Sequence, residues 1–157
     1  VSVWSPRYKK DIEIVEKIQR RATKLVRDCK DKPYKDRLRY LNLPTLKYRR
    51  LRGDMLETYK ILNDIYDNEA APVLELSGTR MTRGNDKKLN KVMCKTDLRR
   101  HFFTQRVVDV WNSLPSEIIN SASVNIFKNK LDKFWQTQEI FFDYKADIAG
   151  TGSRSWI

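Results

Sequence analysis

The chain has 157 residues, 40% hydrophobic and 11% aromatic, with only five Gly and five Pro. That is enough apolar material for one buried core, and it excludes a disordered or loop-dominated chain. No apolar run nears the roughly 20 residues that a bilayer demands, so no membrane partner is expected. The formal charge is +12, with a pI near 9.8. It is segregated: residues 1–60 hold 18 basic against 8 acidic side chains, residues 61–79 hold 0 against 4, and residues 80–106 hold 9 against 2. Two basic blocks around an acidic spacer suit a polyanion, of which nucleic acid is the commonest. An acidic membrane surface or an acidic protein fits the same charge map.

Val1-Ser2-Val3-Trp4 lacks the charged lead and apolar stretch of a signal peptide and reads as the end of a strand whose sheet lies upstream, so a fragment is expected. Residues 7–28 follow as an amphipathic helix. Ile12, Val15, Ile18, Ala22, Leu25 and Val26 share an arc of roughly 140°, expected to face a core. Lys10, Lys17, Arg20, Arg21, Lys24 and Arg27 share a second arc almost opposite, expected to face anions. Pro33 opens a short helix near 34–41. Thr45 caps a third over 46–65, with Tyr48, Leu51, Met55, Leu62 and Ile65 inward and Tyr59 or Thr58 filling the remaining turn. Gly53 marks either a close crossing or a weak point.

Residues 67–86 read as a connector, acidic and then turn-rich, with one helical turn near Val73 to Leu76. A short extended segment is expected within 87–96. Thr96 or Asp97 caps a helix with the stripe Phe103, Val107, Val110, Trp111 and Leu114, ended by Pro115. Ser123 caps the last helix, with Val124, Phe127, Leu131 and Phe134 or Trp135 inward. The remainder, 138–157, reads as a tail. There is no internal repeat and no heptad array of useful length. The expected fold is mostly α: a helical bundle of about four to five helices with at most a short strand or hairpin near 87–96. Its regions are 1–66 (basic and helical), 67–86 (connector), 87–137 (helical) and 138–157 (tail).

Side chains at i, i+3, i+4 and i+7 project one way, so Lys17, Arg20, Arg21 and Lys24 can follow a phosphate backbone. A solvated face with Glu13–Lys17 and Glu16–Arg20 pairs is the alternative. Arg49, Arg50 and Arg52 fall within one turn, suited either to bidentate phosphate contacts or to bridging the carboxylates of 54–69. Arg99, Arg100 and Arg106 flank Phe102 and Phe103; the spacing makes Phe103 a core residue and leaves Phe102 open between core and base stacking. Cys29, Cys94 and His101 are too few for a structural zinc site. The cysteines read as reduced thiols, and Cys94 with His101 as structural. Asp54, Asp64 and Asp67 read as solvated. No phosphate loop, dinucleotide fingerprint or paired catalytic carboxylate motif is present, so no catalysis and no cofactor are expected.

Four stretches, in order, resemble the end of the reverse-transcriptase polyprotein of LINE-type (non-LTR) retrotransposons, especially the jockey-like group. They are Val3-Trp4-Ser5-Pro6 with Asp11-Ile12-Glu13 and 16–24; Leu43-Pro44-Thr45-Leu46 with 48–55 and 59–62; Thr82-Arg83-Gly84 with Lys88-Leu89; and 102–115 with Ser123 and Phe127-Lys128. The match spans roughly 3–135, and Asn85 departs from it where His is usual. The resemblance implies a thumb and a post-thumb region (1–66 being thumb-like) that hold template RNA and primer through backbone contacts during target-primed reverse transcription. It implies RNA, RNA–DNA hybrid or DNA as partners, together with polymerase and endonuclease domains upstream, and a cytoplasmic and nuclear location. The catalytic residues would lie elsewhere. Two other readings stay open: a protein-interaction or scaffold domain docking on the polymerase palm, and a stand-alone DNA-binding helical domain.

Overall fold

The computed structural model describes residues 5–67, 69, 71–78 and 87–151. Val1-Ser2-Val3-Trp4, the Thr82-Arg83-Gly84 stretch, Asn85 and the last six positions of the expected tail lie outside the described residues. The chain is mostly α, as expected, with seven helices among the described residues: α1 (Lys9–Lys24), α2 (Tyr34–Tyr40), α3 (Leu46–Leu62), α4 (Asp97–Arg100), α5 (Phe103–Asn112), α6 (Ser116–Ile119) and α7 (Val124–Trp135). Of these, α4 and α6 are single turns. Short 3-10 turns follow α1 at Arg27–Cys29 and α7 at Glu139–Phe141.

Helices α3, α5 and α7 form the body. Met55, Trp111, Phe127 and Leu131 are fully buried between them, with Tyr48, Tyr59, Val107 and Trp135 almost so. The Tyr59 and Phe127 rings stack at 4.4 Å, and Tyr48 meets Trp135 edge-on at 6.0 Å. The helix starts follow local chemistry. Thr45 Oγ1 accepts from the Tyr48 amide at 3.1 Å, and Ser123 Oγ accepts from Ile126 at 3.3 Å, each supplying an acceptor to an otherwise unpaired first turn. Both Tyr59 and Thr58 are buried, Thr58 by bonding back to the Asp54 carbonyl at 2.8 Å. Among the described residues no other element comes within 4 Å of where a Gly53 Cβ would be, so no close crossing is seen there.

Several expectations need correction. Ile65 is 52% exposed because α3 stops at Leu62: Asp64 takes φ 51°, and Ile65 donates to the Lys60 carbonyl at 3.1 Å, closing the helix in a Schellman-type turn. Asn42 (φ 50°) ends α2 in the same way, with Leu43 donating to Leu38. No helical turn forms at 73–76. Instead Leu76 and Leu89 make an isolated antiparallel bridge, flanked by Ser77 to Lys88 at 2.7 Å and Asn90 to Glu75 at 2.8 Å. That bridge is all the strand character shown by the described part of 87–96. The helix expected from Thr96 or Asp97 onward breaks at His101–Phe102, giving α4 and α5. Pro115 then starts α6 rather than only ending α5.

The described part of the expected tail is packed. Ile140 is fully buried and Ile148 nearly so, while Thr45 donates through Oγ1 to the Ile140 carbonyl at 2.7 Å and through its amide to Phe141 at 2.9 Å. This strap closes over the start of α3.

The largest correction concerns α1. Its inward face is polar: Glu16 is fully buried and Thr23 almost so, while Ile18 is 68% and Leu25 87% exposed, with Ala22 and Val26 also facing solvent. Ile12 and Val15 are only partly covered. The cause is a set of directional bonds. The Glu16 carboxylate accepts from the Lys47 amide at 2.9 Å, in the first turn of α3, and from Tyr34 Oη at 2.7 Å. An anion there also meets the positive end of the α3 dipole. The buried Arg37 guanidinium donates to Thr23 Oγ1 at 3.1 Å, to the Arg20 carbonyl at 3.3 Å and to the Lys32 carbonyl at 2.5 Å. Turning any of these groups to an aliphatic surface would leave a buried polar group without a partner, so the polar side wins the interior.

Candidate nucleic-acid interface

The twelve basic residues singled out by sequence separate into open and committed ones. On α1, Lys10, Lys17, Arg21 and Lys24 are exposed, and Arg27 is exposed in the turn beyond. None of the five is in an ion pair among the described residues. The first four share an arc of roughly 60° on the helix surface. They run alongside the outward aliphatic stripe rather than opposite the buried side. The Glu13–Lys17 pair does not form, nor does Glu16–Arg20, whose Glu16 is held by α3 and Tyr34.

Arg20 leaves this edge. Its Nη2 donates to Tyr144 Oη at 2.8 Å, and its guanidinium lies 5.3 Å from the Tyr34 ring centroid and 5.5 Å from that of Tyr144. It is packed between the α2 start and the C-terminal strap. Burial and the hydrogen bond to Glu16 push the Tyr34 hydroxyl pKa well above its ordinary value, so Tyr34 keeps its proton and donates it to the carboxylate.

On α3 the three arginines diverge. Arg49 is exposed and without an ion pair among the described residues. Arg50 is partly buried, and burial lowers its pKa although the Glu16 and Asp54 charges oppose this. Arg52 grips Asp132 of α7 bidentately at 2.5 and 2.8 Å, and this hydrogen bonding raises its pKa. The carboxylates of 54–69 take none of the three. Beside this pair the buried Tyr48 hydroxyl has no hydrogen-bond partner among the described residues. Burial, with the Asp132 charge, pushes its pKa up to about 12.

In the third set Arg99 is exposed and Arg100 reaches Asp97 at 3.6 Å, both ends of that pair being open to water. Arg106 is internal: it holds Asp54 bidentately, both bonds 2.9 Å, and donates to the His101 carbonyl at 3.2 Å. Asp54, expected to be solvated, is 3% exposed. The pair ties α3 to α5 and is positioned by residues 52 apart in sequence, a separation that no local spacing rule reads. Phe103 packs on the core, while Phe102 is 57% exposed at the α4–α5 corner.

Below that corner lies an open cleft of about 630 Å³ lined by Lys91, Cys94, Arg100, His101 and Gln105 among others. Lys91 is taken by Asp109 at 2.7 Å, and the Cys94 thiol faces the Val92 carbonyl at 3.6 Å rather than His101. Cys29 is fully buried, and both cysteines are free thiols. Among the described residues no group of three or more His, Cys, Asp or Glu is placed to hold a metal ion, and no helix is long and apolar enough to cross a membrane.

Of the twelve, those open to a polyanion are therefore Lys10, Lys17, Arg21 and Lys24 on α1, Arg27 in the turn beyond, Arg49 on α3, and Arg99 with Arg100 on α4. Arg52 and Arg106 are neutralised internally and Arg20 is turned to the body. No protein-family model, curated protein or solved structure matches this chain.

Proposed function

We propose that this chain is a nucleic-acid-gripping helical segment of a retrotransposon reverse transcriptase. In this reading it holds template RNA and primer through their phosphate backbones and does no chemistry itself. The observation that carries the gripping role is the α1 edge: four exposed cations, Lys10, Lys17, Arg21 and Lys24, along one line of a helix, none of them in an ion pair among the described residues. Such a row meets successive phosphates without reading bases, as backbone positioning requires. The assignment to LINE-type elements rests on the four sequence stretches that resemble that family. Arg27, Arg49 and Arg99 extend the open set, while Arg52 and Arg106 serve the fold.

Filter binding to an RNA–DNA hybrid across a salt series tests the grip. Affinity is expected to fall steeply and linearly on a log–log plot. Lys17→Gln, Arg21→Gln and Lys24→Gln together should flatten the slope by about three. Absence of hybrid and RNA binding at about 100 mM salt would sink the reading.

A further inference from the structure

The outward face of α1 has a register of its own. Ile14, Ile18 and Leu25 are 57%, 68% and 87% exposed and fall within an arc of roughly 40°. In heptad terms Asp11, Ile18 and Leu25 take a positions, so that the aliphatic part of the seam begins after Asp11; Ile14 and Arg21 take d positions, and Val15 and Ala22 take e positions. The g positions are Lys10, Lys17 and Lys24, a lysine at every one. Glu16 and Thr23, the two side chains most deeply sunk into the body, occupy f, directly behind the seam. The buried side of α1 therefore aims an a/d seam with a uniformly basic flank straight at solvent.

We infer that this seam is a docking site for a helix of another polypeptide, one with an aliphatic stripe and acidic residues along the edge that meets Lys10, Lys17 and Lys24. Flanking charges set partner choice in such pairings, and here the flank has one sign only. Arg21 inside the seam asks for an acid opposite as well. A second copy of the chain fits badly. An antiparallel pair would set the lysine edge against itself, and a parallel pair would set it against Val15 and Ala22, which offer no charge. A lipid surface also fits badly, because an interfacial helix buries an apolar face 100° wide or more. This seam is one side chain wide and about 16 Å long. The inference shares Lys10, Lys17, Arg21 and Lys24 with the nucleic-acid reading but stands apart from it on Ile14, Ile18 and Leu25, which a phosphate backbone does not use and which the peptide test reads.

The test uses the full chain and two labelled three-heptad peptides with Leu at a and d, one with Glu and one with Lys at every e and g, followed by fluorescence anisotropy. The Glu peptide should bind at least about tenfold more tightly than the Lys peptide. Ile18→Ser with Leu25→Ser should weaken it about tenfold or more, and Lys10→Glu, Lys17→Glu and Lys24→Glu together should reverse the preference. All five positions are exposed, so circular dichroism should stay unchanged. Binding of neither peptide, or of both alike, overturns the inference. So does Glu-peptide binding that survives the Ser substitutions, which would be charge attraction alone. Two further outcomes also overturn it: self-association that the Ser variant loses, which points to a second copy, and seam-dependent binding to phosphatidylserine vesicles without peptide binding, which points to lipid.

Discussion

Two regions of this molecule solve the burial problem differently. The body of α3, α5 and α7 is held by Met55, Trp111, Phe127, Leu131 and Trp135, whose attraction is large and without direction. The α1–α2 layer has Leu38 and Cys29 at its centre. What orients it on the body, though, is polar: the Glu16 carboxylate takes the Lys47 amide of α3, while the Arg37 guanidinium and the Thr23 hydroxyl lock α2 to α1, each of the three groups 3% exposed or less. Apolar contact decides whether surfaces meet; hydrogen bonds decide which way a helix is rolled when they do. Where the two conflicted on α1, the bonds prevailed, and the aliphatic side was left facing water.

The contrast predicts graded losses. Phe127→Ala removes a fully buried ring stacked on Tyr59 and should cost about 4 kcal/mol in urea denaturation, as a single global transition. Glu16→Ala should cost about 2 kcal/mol, since a buried amide at the start of α3 and the Tyr34 hydroxyl both lose their acceptor. Its signature should be local, with hydrogen exchange quickening in α1 and α2 before α5 and α7. A Glu16→Ala loss as large and as global as that of Phe127→Ala would erase the distinction drawn between the regions.

The smallest effect belongs to a pair at the rim of the body, on the outer side of α3. Burial pushes the Glu57 carboxyl upward, but hydrogen bonds from Tyr66 and Lys60 outweigh it and hold the pKa below the ordinary carboxylate value. A depressed folded pKa stabilises fully above the unfolded value and is lost as pH falls through the folded one. Glu57→Gln should therefore cost less than about 1 kcal/mol at neutral pH. The cost should vanish below the carboxylate range in a pH series of melts. A cost that grew in acid would reverse the sign argued here.

Much of the helical frame could be read from the chain because its signals are local. Pro33, Thr45 and Ser123 mark starts, Pro115 marks an end, and Val107, Trp111 and Leu114 repeat at helical spacing. The ends of α2 and α3 were harder, since Asn42 and Asp64 rather than glycine take the left-handed turn. The strap at 138–151 has no period at all, yet buries Ile140 and Ile148 by irregular contact. For the candidate interface, the lysines of α1 were legible because their shared edge is a property of one helix. Arg52 and Arg106 were not, because Asp132 and Asp54 stand 80 and 52 residues away. The roll of α1 escaped for a related reason. Periodicity locates two faces but not the amide of Lys47 that chooses between them.

The grip of Glu16 on that amide has a consequence for any molecule that meets α1. Hiding Ile18 and Leu25 would require the helix to spin by about half a turn, stripping α3 of its acceptor and abandoning Arg37 against hydrocarbon. The native state thus holds the helix in one pose before an encounter. A ligand arriving there faces no reorganisation of its target, and the ordering cost that weakens association with pliable surfaces is already met by the fold.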